Sequence, residues 1–423
     1  MFEMKPTRTF GTLLLSLVIL ISATACRHKG GNKIFDPAQV AFSAEYNPLF
    51  DGQLYPSLIL GANKLSSPDY QPSAAIYQLP TVFSFSLTAP SDNAVLRVVI
   101  DSSALNYVTI FQEILPHRGE RYTFSPSVKW KYDMLRRLRQ PGAVDFTFTC
   151  YVNDEEVDIK NLHLSYRTVN ECPLSLVYQG NRNDFRWLFA AYVNEDHPQI
   201  EQILTDILDQ GVVSRLNGYQ SGENAVREQV FAVWYYALDR GISYSSISCT
   251  SNPSQRANVQ HIRFFDEVWA SRQANCIDAC VFFASILRKI GLKPVIFVEP
   301  CHAYLGYYTD KNRRKISLLE TTITSWVNFP ELDKNLDADG RLSDESFGKI
   351  RKYLSDKDVE RYQNGSMKLD ELKRTVARSL FDKATEYDRE TFNTNRAHFA
   401  DSASISYQQL DIEQLRKIVQ PIN

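Results

Sequence analysis

The chain has 423 residues, with 47 lysines and arginines against 49 aspartates and glutamates and a formal net charge of −2. That balance, with no basic stripe along any segment, argues against a nucleic-acid partner. Seven cysteines in a chain of this length are too few for a disulfide scaffold, so an apolar core must hold the fold.

The first residues read as an export signal. Lys5 and Arg8 precede the apolar run LLLSLVILI, Leu13 to Ile21, which breaks into small residues at SATAC. The run is too short to span a bilayer permanently. Ala23, Thr24 and Ala25 before Cys26 resemble a bacterial lipobox, with Ala23 where leucine is usual. The resemblance implies a lipoprotein signal peptide over 1–25, lipidation of Cys26, and a membrane-anchored protein in the cell envelope facing outside the cytoplasm. An uncleaved signal anchor is the alternative, and it gives the same orientation. Residues 26–40, opening with the basic, glycine-containing RHKGGNK, suit a flexible tether. What remains is long enough for two or three domains.

From 41 to 170 the pattern is that of strands: TVFSFSL, AVLRVVI at 94–100 and YVTIFQEIL at 107–115. In DFTFTCY the residues Phe146, Phe148 and Cys150 share one face, and in NLHLSY so do Leu162, Leu164 and Tyr166. Half-buried strands separated by turn-rich stretches such as APSDN predict an antiparallel β-sandwich. It carries no catalytic motif; an accessory recognition or spacer domain and simple packing support are both open readings. Cys150 and Cys172 are one candidate disulfide pair.

Helical spacing takes over from 171. FRWLFAAYV at 185–193 opens it, and HPQIEQILTDILDQG places Ile200, Ile203, Leu204 and Ile207 on one side before Gly211. ENAVREQVFAVWYYALDRG does the same with Val226, Val230, Val233, Trp234 and Leu238, and ends at Gly241. Dinucleotide, P-loop and HExxH zinc motifs are absent.

The chemistry concentrates between Gln260 and Trp326. Asn275 is a good N-cap, which sets Cys276 at the first position of the apolar helix CIDACVFFASILRKIG. There the helix dipole and free backbone N–H groups favour a thiolate and can hold an oxyanion. His302 opens the strand HAYLGYY and Glu320 closes ISLLETT after a polar turn. A hairpin centred on Lys311 sets His302 opposite Glu320, where the carboxylate can orient the imidazole. Gln260 is a weaker candidate for a second oxyanion donor. Cys280, one turn inside the helix, reads as structural. Cys276, Cys280, Cys301 and His302 offer zinc-type ligands, but adjacent strand residues 301 and 302 point to opposite faces, so no metal or other cofactor is expected. A Cys276–Cys301 disulfide would silence the site in an oxidising compartment.

NCIDACVFFASILRKIGLKPV, HAYLGYY and LLETT, in that order, resemble the three motif blocks of the transglutaminase-like superfamily. The likeness covers roughly residues 180 to 330. It implies a papain-like α+β domain over 171–423 with a C-terminal helical extension, making the fold class α+β with the β-sandwich in front. It also implies Cys276 as nucleophile, His302 as general base and then acid, and Glu320 as the residue that orients the imidazole. Asn275 and Glu320 stand where the family commonly has glycine and aspartate. The expected function is hydrolysis of amide bonds in a protein or peptide substrate through a thioester. The alternative is a catalytically inactive fold serving as an envelope binding protein, which a buried thiol or an imidazole turned away would favour.

In the tail, Asn335, Asp337 and Asp339 before Gly340 match the first half of a calcium loop, but Ser346 stands where the bidentate glutamate belongs; a solvated acidic loop fits better. Leu369, Leu372, Val376, Leu380 and Ala384 mark an amphipathic helix that should pack back on the catalytic domain, and LDIEQLRKIVQPIN should end the chain in the same way.

Overall fold

Strict alternation organises the first half of the chain. In Ala94–Ile100 the residues Ala94, Leu96, Val98 and Ile100 are buried and those between them are not, because successive strand side chains leave opposite faces. In the computed structural model, which describes residues 35–62, 81–246, 250–251, 256–401, 404 and 406–422, this strand belongs to a five-stranded sheet. The order is Gln53–Leu54, Glu155–Tyr166, Gly142–Val152, Ala94–Ile100, Thr109–Leu115. All neighbours run antiparallel except the first pair.

A three-stranded antiparallel sheet, Phe42–Tyr46, Phe83–Thr88 and Arg121–Phe124, faces it. Phe83 meets Phe146 and Phe148 at centroid separations of 4.8 and 5.2 Å, so the residues expected on one face of DFTFTCY do form the contact between sheets. Cys150 joins them there as a free, buried thiol. The disulfide considered with Cys172 is not formed: Cys172 is also free, and it lies in a separate sheet as part of Glu171–Tyr178.

Two four-stranded sheets follow. One has the order Asn181–Asp184, Glu171–Tyr178, Ala257–His261, Thr250–Ser251; the other has Ile316–Leu319, His302–Tyr308, Pro294–Glu299, Gln408–Asp411. The main helices of this half are Pro198–Asp209, Gly222–Asp239, Cys276–Lys289 and Leu369–Glu386, of which the last two lie against the second of these sheets. The first predicted helix is different. FRWLFAAYV forms a 3-10 turn over Arg186–Ala191 with every residue buried; an apolar segment with no polar face has nothing to offer solvent along a longer helix.

The helix Cys276–Lys289 is buried continuously from Ile277 to Leu287 and lies against the His302 and Pro294 strands. The long C-terminal helix packs where expected, with Phe381 in ring contact with Phe231 and Trp234 at 5.5 and 6.2 Å. The chain end then ties both halves together. Gln420 N donates to Gly61 O and Ile422 N to Ala191 O, at 3.0 and 2.9 Å. Buried apolar residues on both sides of residue 170 belong to one contiguous cluster. The result is a mixed α+β protein. Among the described residues no helix is long and apolar enough to cross a membrane. Cys26 and residues 1–34 lie outside the described residues.

Candidate active site

Local sequence fixes the start of the Cys276 helix. The Asn275 side chain accepts from Asp278 N at 2.9 Å, and the Asp278 carboxylate accepts from Asn275 N at 3.1 Å. This reciprocal capping box satisfies donors that a helix start leaves open. Asp278 is fully buried and is held further by Arg263, whose backbone N and guanidinium each donate at 2.8 Å. Burial still pushes the Asp278 carboxyl up against those hydrogen bonds. Cys276 is thus the first residue of a clamped helix, and it is partly exposed rather than core.

His302 begins its strand and Glu320 follows the last residue of Ile316–Leu319. The imidazole Nε2 lies 2.7 Å from Glu320 Oε2. The predicted register is corrected: Leu305 pairs with Leu319 and Gly306 with Leu318, two residues away from a hairpin centred on Lys311. Glu320 is not a strand residue opposite His302 but the N-cap of the 3-10 turn Thr321–Trp326, accepting from Thr322 N at 2.7 Å. A slip of two residues preserves the face, whereas a slip of one would have turned the carboxylate away.

Electrostatics follow from this contact. Burial disfavours the charged imidazole, yet hydrogen bonds to Cys276 and Glu320, with their charges, push His302 up to about 11. The imidazolium therefore sits between Cys276 and the Glu320 carboxylate. Fully buried Glu320 would be pushed up by desolvation, but hydrogen bonds from His302 and Asp388 and the His302 charge hold it low.

Asp388 was not legible as a site residue. It precedes helix Arg389–Ala400 and reads as an N-cap, but its side chain makes no capping bond. Burial, then the hydrogen bond and charge of Glu320, push its carboxyl up to about 8. That shift favours the protonated form, which lets Asp388 lie beside Glu320 without two like charges meeting. His302, Glu320 and Asp388 offer polar atoms within 4.8 Å of one another, and they form the one group of metal-ligand type among the described residues. The zinc set Cys276, Cys280, Cys301 and His302 is not assembled.

The thiol opens on a cavity of about 330 Å³ whose wall includes Gln260, Arg182, Glu299 and His302. Gln260 lines the same cavity as Cys276, and its Nε2 donates to His261 O at 2.9 Å. Cys301 is exposed, has φ of 63°, and is free, so no disulfide joins it to Cys276. Cys280 is fully buried, and desolvation raises its thiol pKa well above the usual range, as a structural cysteine should be. In the acidic loop, Asp337 Oδ1 accepts from Asp339 N and Arg341 N at 3.0 and 2.8 Å, and Asn335 Nδ2 donates to Glu331 O at 2.8 Å. These are turn-forming bonds.

No family model matches the chain, and no curated protein matches its sequence. The functional reading rests on the residues and their geometry.

Proposed function

We propose that this protein is a membrane-anchored cysteine hydrolase of transglutaminase-like type that cleaves amide bonds in protein or peptide substrates. In this reading the two facing sheets are a β-sandwich accessory domain, the remainder is a transglutaminase-like domain, and Cys26 carries a lipid that holds both outside the cytoplasm. One observation carries it: His302, which bonds buried Glu320 at 2.7 Å, shares the wall of one cavity with Cys276, a thiol at the first residue of a capped helix.

With the proton of the pair on His302, the Cys276 thiolate attacks the amide carbon, forming the C–S bond as the C=O π electrons move to oxygen. The oxygen's developing charge meets backbone N–H at the helix start and Gln260. The C–N bond breaks as His302 gives its proton to the departing amine. Water then attacks the thioester carbon as His302 takes its proton, the C–S bond breaks, and the carboxylic acid leaves with the Cys276–His302 pair restored. The competing reading, an inactive binding module, calls for a buried thiol or an imidazole turned away; Cys276 is partly exposed and His302 is engaged, which favours the enzyme.

The test is alkylation of the reduced protein with limiting iodoacetamide from pH 4 to 9, mapped by cysteine. Cys276 should react well below the ordinary thiol range, near 8.5, and His302→Ala should abolish this. An inert Cys276 at neutral pH would end the enzyme reading.

A further inference from the structure

The acyl-transfer chemistry leaves one acidic group of the cleft unused. Glu299 ends its strand directly opposite His302 in the antiparallel ladder. Both side chains therefore leave the same face of the sheet, with Cβ atoms about 4.5–5.5 Å apart. Among the described residues, Glu299 is the one carboxylate in the wall of the cavity that holds Cys276. Its Oε2 is buried and meets no hydrogen-bond donor among the described residues. A desolvated carboxylate oxygen without a donor is costly in the free protein, and a ligand cation with N–H groups removes that cost.

Among the described residues the other charged groups lining the cleft are Arg182, Arg186 and His302; none of them hydrogen-bonds Glu299 Oε2, although the His302 charge acts on Glu299 against the burial that raises its pKa. Arg186 is tied to Asp184 by bonds of 2.9 and 2.5 Å from Nε and Nη2, and the His302 charge is answered by Glu320.

Chemistry says which part of a substrate lies beside Glu299. His302 protonates the departing amine, so the amine part of the scissile amide sits on the imidazole side of the thiol. Glu299 is level with His302 and flanks that part. We propose that Glu299 binds a second amino group on the amine part of the scissile amide, so that the bond cleaved is one made by a diamino residue of lysine type. This rests on the acyl-transfer reading of Cys276 and His302. A neutral side chain of equal length leaves Oε2 unpaired, and a site built around a buried polar group discriminates strongly against such a ligand.

Binding is read by titration calorimetry on the full chain carrying Cys276→Ser, which separates recognition from catalysis. The probes are acetyl-Ala-Gly-Lys-amide and its norleucine counterpart. The lysine peptide should bind about tenfold more tightly or better, and Glu299→Gln should erase the difference without lowering the melting temperature. Equal binding of the two peptides, or a lysine preference that survives Glu299→Gln, overturns the proposal. Cleavage assays on the unsubstituted chain keep the two claims apart: a lysine preference with neither peptide cleaved removes the hydrolase reading and leaves the amine site standing. Cleavage of both at equal rate with equal binding removes the amine site alone.

Discussion

Glu320 orients His302 from a position that is not opposite it: the ladder runs Leu305 to Leu319, which sets Glu320 level with Tyr304, and the carboxylate reaches back to His302 Nε2 at 2.7 Å. Diagonal neighbours in a ladder are separated by more than direct ones, and only long side chains span the gap. The extra methylene of glutamate is what closes it.

Shortening that reach should therefore cost activity even though charge is kept. Glu320→Asp is expected to lower kcat about tenfold or more, and Glu320→Gln by about 10²–10⁴, the usual share of acid–base catalysis. Steady-state rates on one peptide substrate decide it. Full activity of Glu320→Asp would show that the diagonal reach is unimportant.

Asp388 gives a pH dependence of stability with a definite sign. Its folded carboxyl is raised to about 8, against about 3.9 for a free aspartate. The native state therefore binds more protons between those values. The favourable contribution is complete below the unfolded pKa and is lost as pH climbs through about 8. Asp388→Asn keeps a donor for Glu320 and cannot ionise. Its melting temperature relative to the parent should rise steadily from pH 4 to 8 and level off above. A difference that stays flat across that range would refute the protonated Asp388.

How much of this was legible in the sequence depended on the range of the interaction. Cys276, its cap Asn275 and the burial of Cys280 follow from helix spacing within one segment, and the structure has them so. Alternation likewise marked Phe146 and Phe148 as inward-facing. His302 and Glu320 were brought together for a partly mistaken reason, since turn geometry that sets register is not written in TDKNRRK alone. Asp388 stands 68 positions beyond Glu320 in the chain, at a helix break that looks like ordinary capping; only tertiary packing turns its carboxyl to the site. Glu299 lay next to the motif, yet its missing partner is a property of the folded cleft.

The buried pair behind Cys276 should control both stability and reactivity. Asp278 stands two residues after Cys276 and is fully buried, with Arg263 at 2.8 Å. Removing one partner of a buried pair costs about 3–5 kcal/mol, so Arg263→Ala should lower the denaturant midpoint strongly. It also leaves an uncompensated negative charge near the thiol, which opposes the thiolate. The pH midpoint for Cys276 alkylation should therefore move up in Arg263→Ala. Asp278→Asn keeps the shape of the capping box, strands the guanidinium, and removes the negative charge, so it too should destabilise but move the alkylation midpoint down. Opposite shifts in reactivity with stability lost in both would tie the effect to charge at the helix start; shifts of the same sign would mean that the cap acts only by holding the helix in place.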